Sequence, residues 1–262
     1  MSRLLPFTCA ALLALVSTSI STAAPGVVVS DDFESTPVGA IPEGFTKMGA
    51  IAVAEGVAHS GTHALKIEPA VKGGRFISLA PEKVAELGGE HWGRLYYKVK
   101  TPAPLPLPQP GKKTAAIHTT LVAGKATSPL ANDAIEVRLA GFSLDAMGDF
   151  RYLYNVQPKQ RKEFGVRTKT AHRFNDDWTL LEWHADSATQ TYQFFLNGEE
   201  VTDIAVHKGA GHFEGSEITA QFQTLSIGWT NYQPATGEGF TVWIDDIAVG
   251  KQRLGPTTAR AK

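Results

Sequence analysis

The stretch Phe240–Gly250, reading FTVWIDDIAVG, limits what this chain can become more than any other. Val242, Ile244, Ile247 and Val249 are apolar and favour extended backbone. A run of that kind between Gly239 and Gly250 reads as a strand buried in a sheet. Asp245 and Asp246 interrupt it. Two adjacent carboxylates inside an apolar strand cannot stay dry and unpaired, because burying a lone charge is strongly unfavourable. A cation, a positive side chain or an edge open to water must answer them. Two other segments carry polar groups of a matching kind: Asp31-Asp32-Phe33-Glu34, and His59-Ser60-Gly61-Thr62-His63-Ala64-Leu65, a tight turn ahead of a strand. The three pieces read as closing one β-sandwich at a shared point. Oxygen ligands gathered from distant segments suit a structural Ca²⁺. The alternative is a strand edge that binds nothing.

Residues 1–24 read as a signal peptide outside the fold. Arg3 gives a positive start, Leu4 to Val16 is apolar apart from Thr8, and Ser21-Thr22-Ala23-Ala24 offers small residues for cleavage before Pro25. That apolar core is too short to span a membrane as a helix. The single Cys9 lies within it, so the mature chain has no cysteine and must be held by its core or by metal. A secreted or periplasmic protein is expected. Roughly 238 residues remain, enough for one all-β domain over 25–250 with a polar, frayed tail over 251–262. The formal net charge is −1, which gives no reason to expect a nucleic-acid or membrane partner. A monomer is expected.

Short alternating runs with 25 Gly and 15 Pro favour a sandwich over helices. In Trp92–Lys100, Leu95, Tyr97 and Val99 share one face while Arg94, Tyr96 and Lys98 share the other. Pro81–Leu87 is the one clear helical turn, with proline at its start. Asn197-Gly198 is a strong hairpin turn. Ser35–Ile51 and the basic Lys159–His172 read as loops. Thr101–Gly111 holds five prolines and reads as a surface loop, either the rim of a cleft or a stiff connection.

Several pieces together resemble a known family. Asp32-Phe33-Glu34, Ser60-Gly61-Thr62-His63-Ala64-Leu65, Trp178…Glu182…Phe195-Leu196-Asn197-Gly198 and Val242-Trp243-Ile244-Asp245-Asp246 are similar to pieces of concanavalin A-like jelly rolls. Within that class the chain most resembles the fungal cellulose-induced protein and the glucuronan lyases of polysaccharide lyase family 20. The resemblance implies an all-β, two-sheet antiparallel β-jelly roll whose concave sheet forms a saccharide cleft. It also implies Ca²⁺ near the chain ends, with Glu34, Asp245 or Asp246, and the Ser60 and His63 positions as ligands. His63 departs from the pattern, since imidazole is a poor Ca²⁺ ligand and its backbone would have to serve instead. Family 16 glycoside hydrolases share the fold and carry Glu-x-Asp-x-x-Glu on one strand. No such run exists here.

Elimination from a uronic-acid polymer needs three things. The sugar carboxylate must be neutralised, a base must take the C5 proton, and an acid must protonate the leaving oxygen. His118, mid-strand in Ala116-Ile117-His118, is similar to the Gln-Ile-His strand of alginate lyases, with Ala116 in place of Gln; a structural histidine is the alternative. Arg138 shares a strand face with Glu136 and either clamps a carboxylate or pairs with that neighbour. On the next strand Tyr152 and Tyr154 share one face, and Arg151, Asn155 and Gln157 the other; only one set can meet the cleft. Tyr232, in Gly228-Trp229-Thr230-Asn231-Tyr232-Gln233, resembles the lyase tyrosine that serves as acid and base. Hairpin reasoning puts it on a strand beside Asp245; the alternative is a loop tyrosine stacked on Pro234. Two functions follow from these residues. One is a secreted lyase acting on an anionic polysaccharide, with Tyr232, His118, Arg138, Arg151, Tyr154 and Gln157 as candidates. The other is a carbohydrate-binding protein that uses the same groove without turnover.

Overall fold

The computed structural model describes residues 26–128, 133–159, 162–208, 210–212, 216–218 and 221–257. The signal-peptide reading of 1–24, Cys9 included, and the last residues of the tail lie outside the described residues. In chain order the elements are β1 Val27–Asp31, β2 Phe45–Met48, β3 Ile51–Glu55, β4 His63–Ile67, β5 Gly73–Leu79, α1 Pro81–Leu87, β6 Glu90–Val99, β7 Ala116–Thr127, β8 Ala134–Asp145 and β9 Phe150–Pro158. There follow β10 Phe164–Arg167, β11 Thr179–Asp186, β12 Thr191–Leu196, β13 Glu199–Glu200, β14 Val206–His207, β15 Ala210–Gly211, β16 Phe222–Asn231 and β17 Val242–Gly250. The strands form two antiparallel sheets packed as a sandwich, the jelly roll expected from the sequence. One sheet runs β15-β14-β12-β11-β6-β17-β4-β3, with β1 paired to β17 and β13 to β12. The other runs β10-β9-β8-β7-β16-β5-β2.

The core between the sheets comes from one side of each strand. Leu95, Tyr97 and Val99 of β6 and Val137 and Leu139 of β8 are buried in it, as their alternation requires. Trp183 fills the centre of the first sheet, and the space for its ring is made by Gly93: a Cβ there would lie 1.9 Å from Cζ2. No helix among the described residues is long and apolar enough to cross a membrane.

Four expectations are corrected. The Ser35–Ile51 stretch is not all loop, because β2 pairs with β5. The basic 159–172 segment contains β10, an edge strand paired with β9. Tyr232 is not on a strand beside Asp245: β16 and β17 lie in opposite sheets, so 232–241 crosses from one to the other. Nor is the described part of the tail frayed. Residues 251–257 lie across the outer face of the first sheet, where Arg253 grips Glu182 at 2.8 Å and Arg94 donates to the Gly255 carbonyl at 2.9 Å. The Pro-rich 101–111 loop packs on the crossover, with the Leu107 N–H donating to the Pro234 carbonyl at 3.0 Å.

Candidate active site

Two clusters use the residues singled out by the sequence, and they lie in different sheets. The first is the carboxylate clamp at the chain ends. A regular strand would send Asp245 and Asp246 to opposite faces. Instead the register between β17 and β6 shifts between Asp245 and Ala248, and Asp246 has φ 47°. One extra residue is thus bulged out, and both carboxylates reach the same turn. Asp245 accepts from the His59 N–H at 2.7 Å and the Ser60 N–H at 3.2 Å. Asp246 accepts from Ser60 Oγ at 3.0 Å and contacts His59 Nδ1 at 2.6 Å. From the other side Glu34 accepts from the N–H groups of Thr62 at 2.9 Å and His63 at 2.7 Å. Gly61 is required here, since a Cβ on it would lie 2.4 Å from the Glu34 carboxyl carbon.

The electrostatics of the clamp are unbalanced. Asp245 is fully buried, and burial together with the neighbouring Asp246 charge pushes its carboxyl up to about 7. Glu34 is held below its ordinary value: burial opposes this, but the Thr62 and His63 hydrogen bonds outweigh it. His59 stacks on Tyr96 at 3.5 Å and brings an imidazole to Asp246. It was not among the residues chosen from sequence, although its place at the start of the turn was visible. Among the described residues no three His, Cys, Asp or Glu side chains gather closely enough to hold a metal by themselves.

The second cluster lies on the outer face of the second sheet. His118 on β7, Arg138 on β8, Gln157 on β9 and Tyr232 beyond β16 line one groove of about 430 Å³. Tyr232 is set by its backbone, whose N–H donates to the His118 carbonyl at 2.9 Å. Its hydroxyl donates to Glu136 Oε1 at 3.0 Å, and the Arg138 guanidinium lies 3.9 Å over its ring. Arg138 Nε also donates to Glu136 at 2.8 Å, so the pairing alternative is realised. Gln233 reaches back to accept from the His118 N–H at 2.7 Å.

Burial pushes the Tyr232 hydroxyl up; the Arg138 charge opposes this but does not prevail. Tyr232 is therefore protonated at neutral pH. Burial, and then the Arg138 charge, hold His118 below the usual histidine range, so its imidazole is neutral there. The two candidates thus differ in proton state: one group able to give a proton, one able to take it.

β9 turns its Arg151, Asn155 and Gln157 side outward and its tyrosines inward. Tyr154 is fully buried, stacked on Tyr192 at 4.0 Å, with its hydroxyl donating to the Glu217 carbonyl at 3.2 Å. It belongs to the core and not to the groove. Arg151 shares the outward face but does not line the groove. Gln157 does, and donates to Glu163.

No family model matches the chain, and no curated protein matches it. Among solved structures, Cellulose induced protein, Cip1, superposes with a TM-score of 0.57 at 17% identity, over 87% of this chain and all of that one. The two share a fold. The binding domain of Paraclostridial Mosquitocidal Protein 1 gives a TM-score of 0.51 at 10% identity. That match covers 88% of this chain and 50% of that domain, so the chain spans about half its length. The Cip1 fold accounts for the two-sheet frame on which the groove and the clamp are mounted; identities this low carry no residue roles.

Glu163, Arg167, Leu153, Asn155 and Gln233 also line the groove. Asn155 lies on β9 with Gln157, and Gln233 follows Tyr232 directly. Glu163 and Arg167 were hidden because their segment reads as a basic loop.

Proposed function

We propose that the groove binds an anionic, uronic-acid-containing polysaccharide outside the cytoplasm and cleaves it by β-elimination, as a lyase related to the glucuronan-cleaving enzymes. The observation that carries this reading is the meeting of a neutral His118, a protonated Tyr232 and Arg138 at one groove. Arg138 would neutralise the sugar carboxylate, making the C5 proton acidic. His118 would take that proton, and the electron pair would form the C4–C5 double bond as the C4–O bond breaks. The Tyr232 hydroxyl would protonate the departing oxygen. The imidazolium and tyrosinate then return to their starting states by proton exchange with solvent. This division of labour departs from a tyrosine acting as both acid and base, because the Tyr232 hydroxyl holds its proton too firmly. Glu136 keeps that hydroxyl oriented before substrate arrives.

A second reading is binding without turnover. It is favoured by Arg138 being already paired with Glu136. The test is a screen on glucuronan, alginate and pectate, following the ultraviolet absorbance of unsaturated ends. Rising absorbance supports elimination. Retention on a polymer with flat absorbance supports binding alone, and neither result with any acidic polymer removes both readings.

We also propose that a Ca²⁺ ion sits at the clamp, held by Glu34, Asp245 and carbonyl oxygens of the 59–63 turn. The support is that the carboxylates of Glu34 and Asp245, from distant segments, grip one turn from two sides, and that carboxylate and carbonyl oxygens are the ligands Ca²⁺ takes. His63 would contribute through its backbone. Such an ion stabilises the folded state by mass action, about 2.7 kcal/mol at a hundredfold excess over its dissociation constant. EDTA is therefore expected to lower the melting temperature and added Ca²⁺ to restore it. An unchanged melting curve would remove the ion.

A further inference from the structure

A larger cavity opens elsewhere, between the two sheets at one end of the sandwich. It measures about 710 Å³ and shares no lining residue with the groove. That size is typical of a small-ligand pocket. At its floor Tyr97 from one sheet and Tyr152 from the other meet hydroxyl to hydroxyl at 2.5 Å. One wall is the Phe174 ring, half-buried and stacked on Phe150 at 4.3 Å. Asn175 and Asp177, which meet at 2.6 Å, line the cavity together with Asn197 and Glu199.

The charges at this mouth run opposite to those of the groove. Asp176, Asp177, Glu199, Glu200 and Asp203 all face it. Lys98 and Lys169 stand 3.5 Å from Asp176 and Asp203. The one arginine of the lining, Arg173, is committed to Asp149 at 2.6 Å. Asp177, Glu199 and Glu200 have no lysine or arginine partner among the described residues. His172 adds no positive charge at neutral pH, since burial lowers its pKa.

An aromatic wall offers a face to the C–H side of a sugar ring, and carboxylates and amides accept its hydroxyl protons. A uronate brought here would meet like charge; an uncharged ring would not, and an ammonium would be attracted. We propose that this mouth is a second sugar site, built for a pyranose unit that lacks a carboxylate, either neutral or amine-bearing. It is independent of the groove, and the protein thereby has two sites of opposite charge preference.

The test is calorimetric titration of the intact protein with xylohexaose, a chitosan hexamer and a glucuronan oligomer, the first two separating the neutral from the aminated source. Binding of either of these is expected. The Asn175→Ala/Asp177→Ala double variant, altered only at exposed positions, should weaken that binding at least about tenfold, as the loss of two hydrogen bonds requires. Phe174→Leu, which keeps an apolar side chain but removes the ring face, should weaken it too. The proposal is overturned if neither uncarboxylated oligomer binds, if only the glucuronan oligomer binds, or if the mouth variants bind as the native chain does while melting at the same temperature.

Discussion

Tyr232→Phe is expected to reduce eliminative cleavage by about 10²–10⁴-fold, the range for losing a positioned acid, while retention on the polysaccharide stays within a few-fold. The ring remains to support the Arg138 guanidinium 3.9 Å away, so the groove keeps its shape. Only the proton donor is lost. The pH profile adds a second readout. His118 must be neutral to take a proton, and its folded pKa lies below the ordinary 6.5. The rate should therefore rise as pH climbs through that lowered value and be level by neutrality. Tyr232 must keep its proton, and its pKa lies above the ordinary 10. The fall at high pH should then begin beyond that value. A fully active Tyr232→Phe protein would exclude the role, and so would a rate that climbs steadily from neutral pH to the tyrosine range.

Deleting residues 251–262 is expected to cost about 3 kcal/mol of stability, the lower end for breaking a buried ion pair because Arg253 is itself partly exposed. Glu182 is 1% exposed, and Arg253 meets both its oxygens, at 3.2 and 2.8 Å. The Gly255 N–H donates a third bond to it at 3.1 Å. Without the tail that carboxylate loses all three bonds, and the charge left nearest to it is Arg94, its cross-strand neighbour on β6. For a chain of this size the loss corresponds to a fall of roughly 6–12 °C in melting temperature. If the shortened and full-length proteins melt together, the tail is not what holds Glu182.

What the sequence disclosed depended on how regular each segment is. β6 was legible residue by residue because its period of two is unbroken and one side is core. β2 and β10 were not, because each is a four-residue edge strand with little buried surface to impose a pattern. On β9 both faces looked plausible for a groove: tyrosine has a polar tip on an apolar body, and only packing shows that Tyr154 meets Tyr192. The bulge in β17 was written in the spacing. Its core residues Val242, Ile244, Ile247 and Val249 step by two, three and two, and the step of three falls on the aspartate pair. The error about Tyr232 came from assuming that consecutive strands pair, which a jelly roll does not obey at its crossovers. His118 and Arg138 could be placed on strand faces by alternation. Their meeting with Tyr232 depends on β7 lying between β8 and β16, a long-range order that local pattern does not encode.

β17 lies between β6 and β4 and also pairs with β1, yet it is the last in chain order of the described strands. Until residue 250 has been made, the larger sheet has no centre. Strands β6 and β4 have no partner on their facing edges, and Glu34 holds a turn whose other anchor does not yet exist. The pairing of β1 with β17 thus links strands more than two hundred residues apart in the chain. Such long-range pairing makes closure slow and leaves sticky edges while it waits. Completion of this sandwich therefore waits for Val242–Gly250, and a ribosome stalled before Val242 holds a chain whose larger sheet is still open.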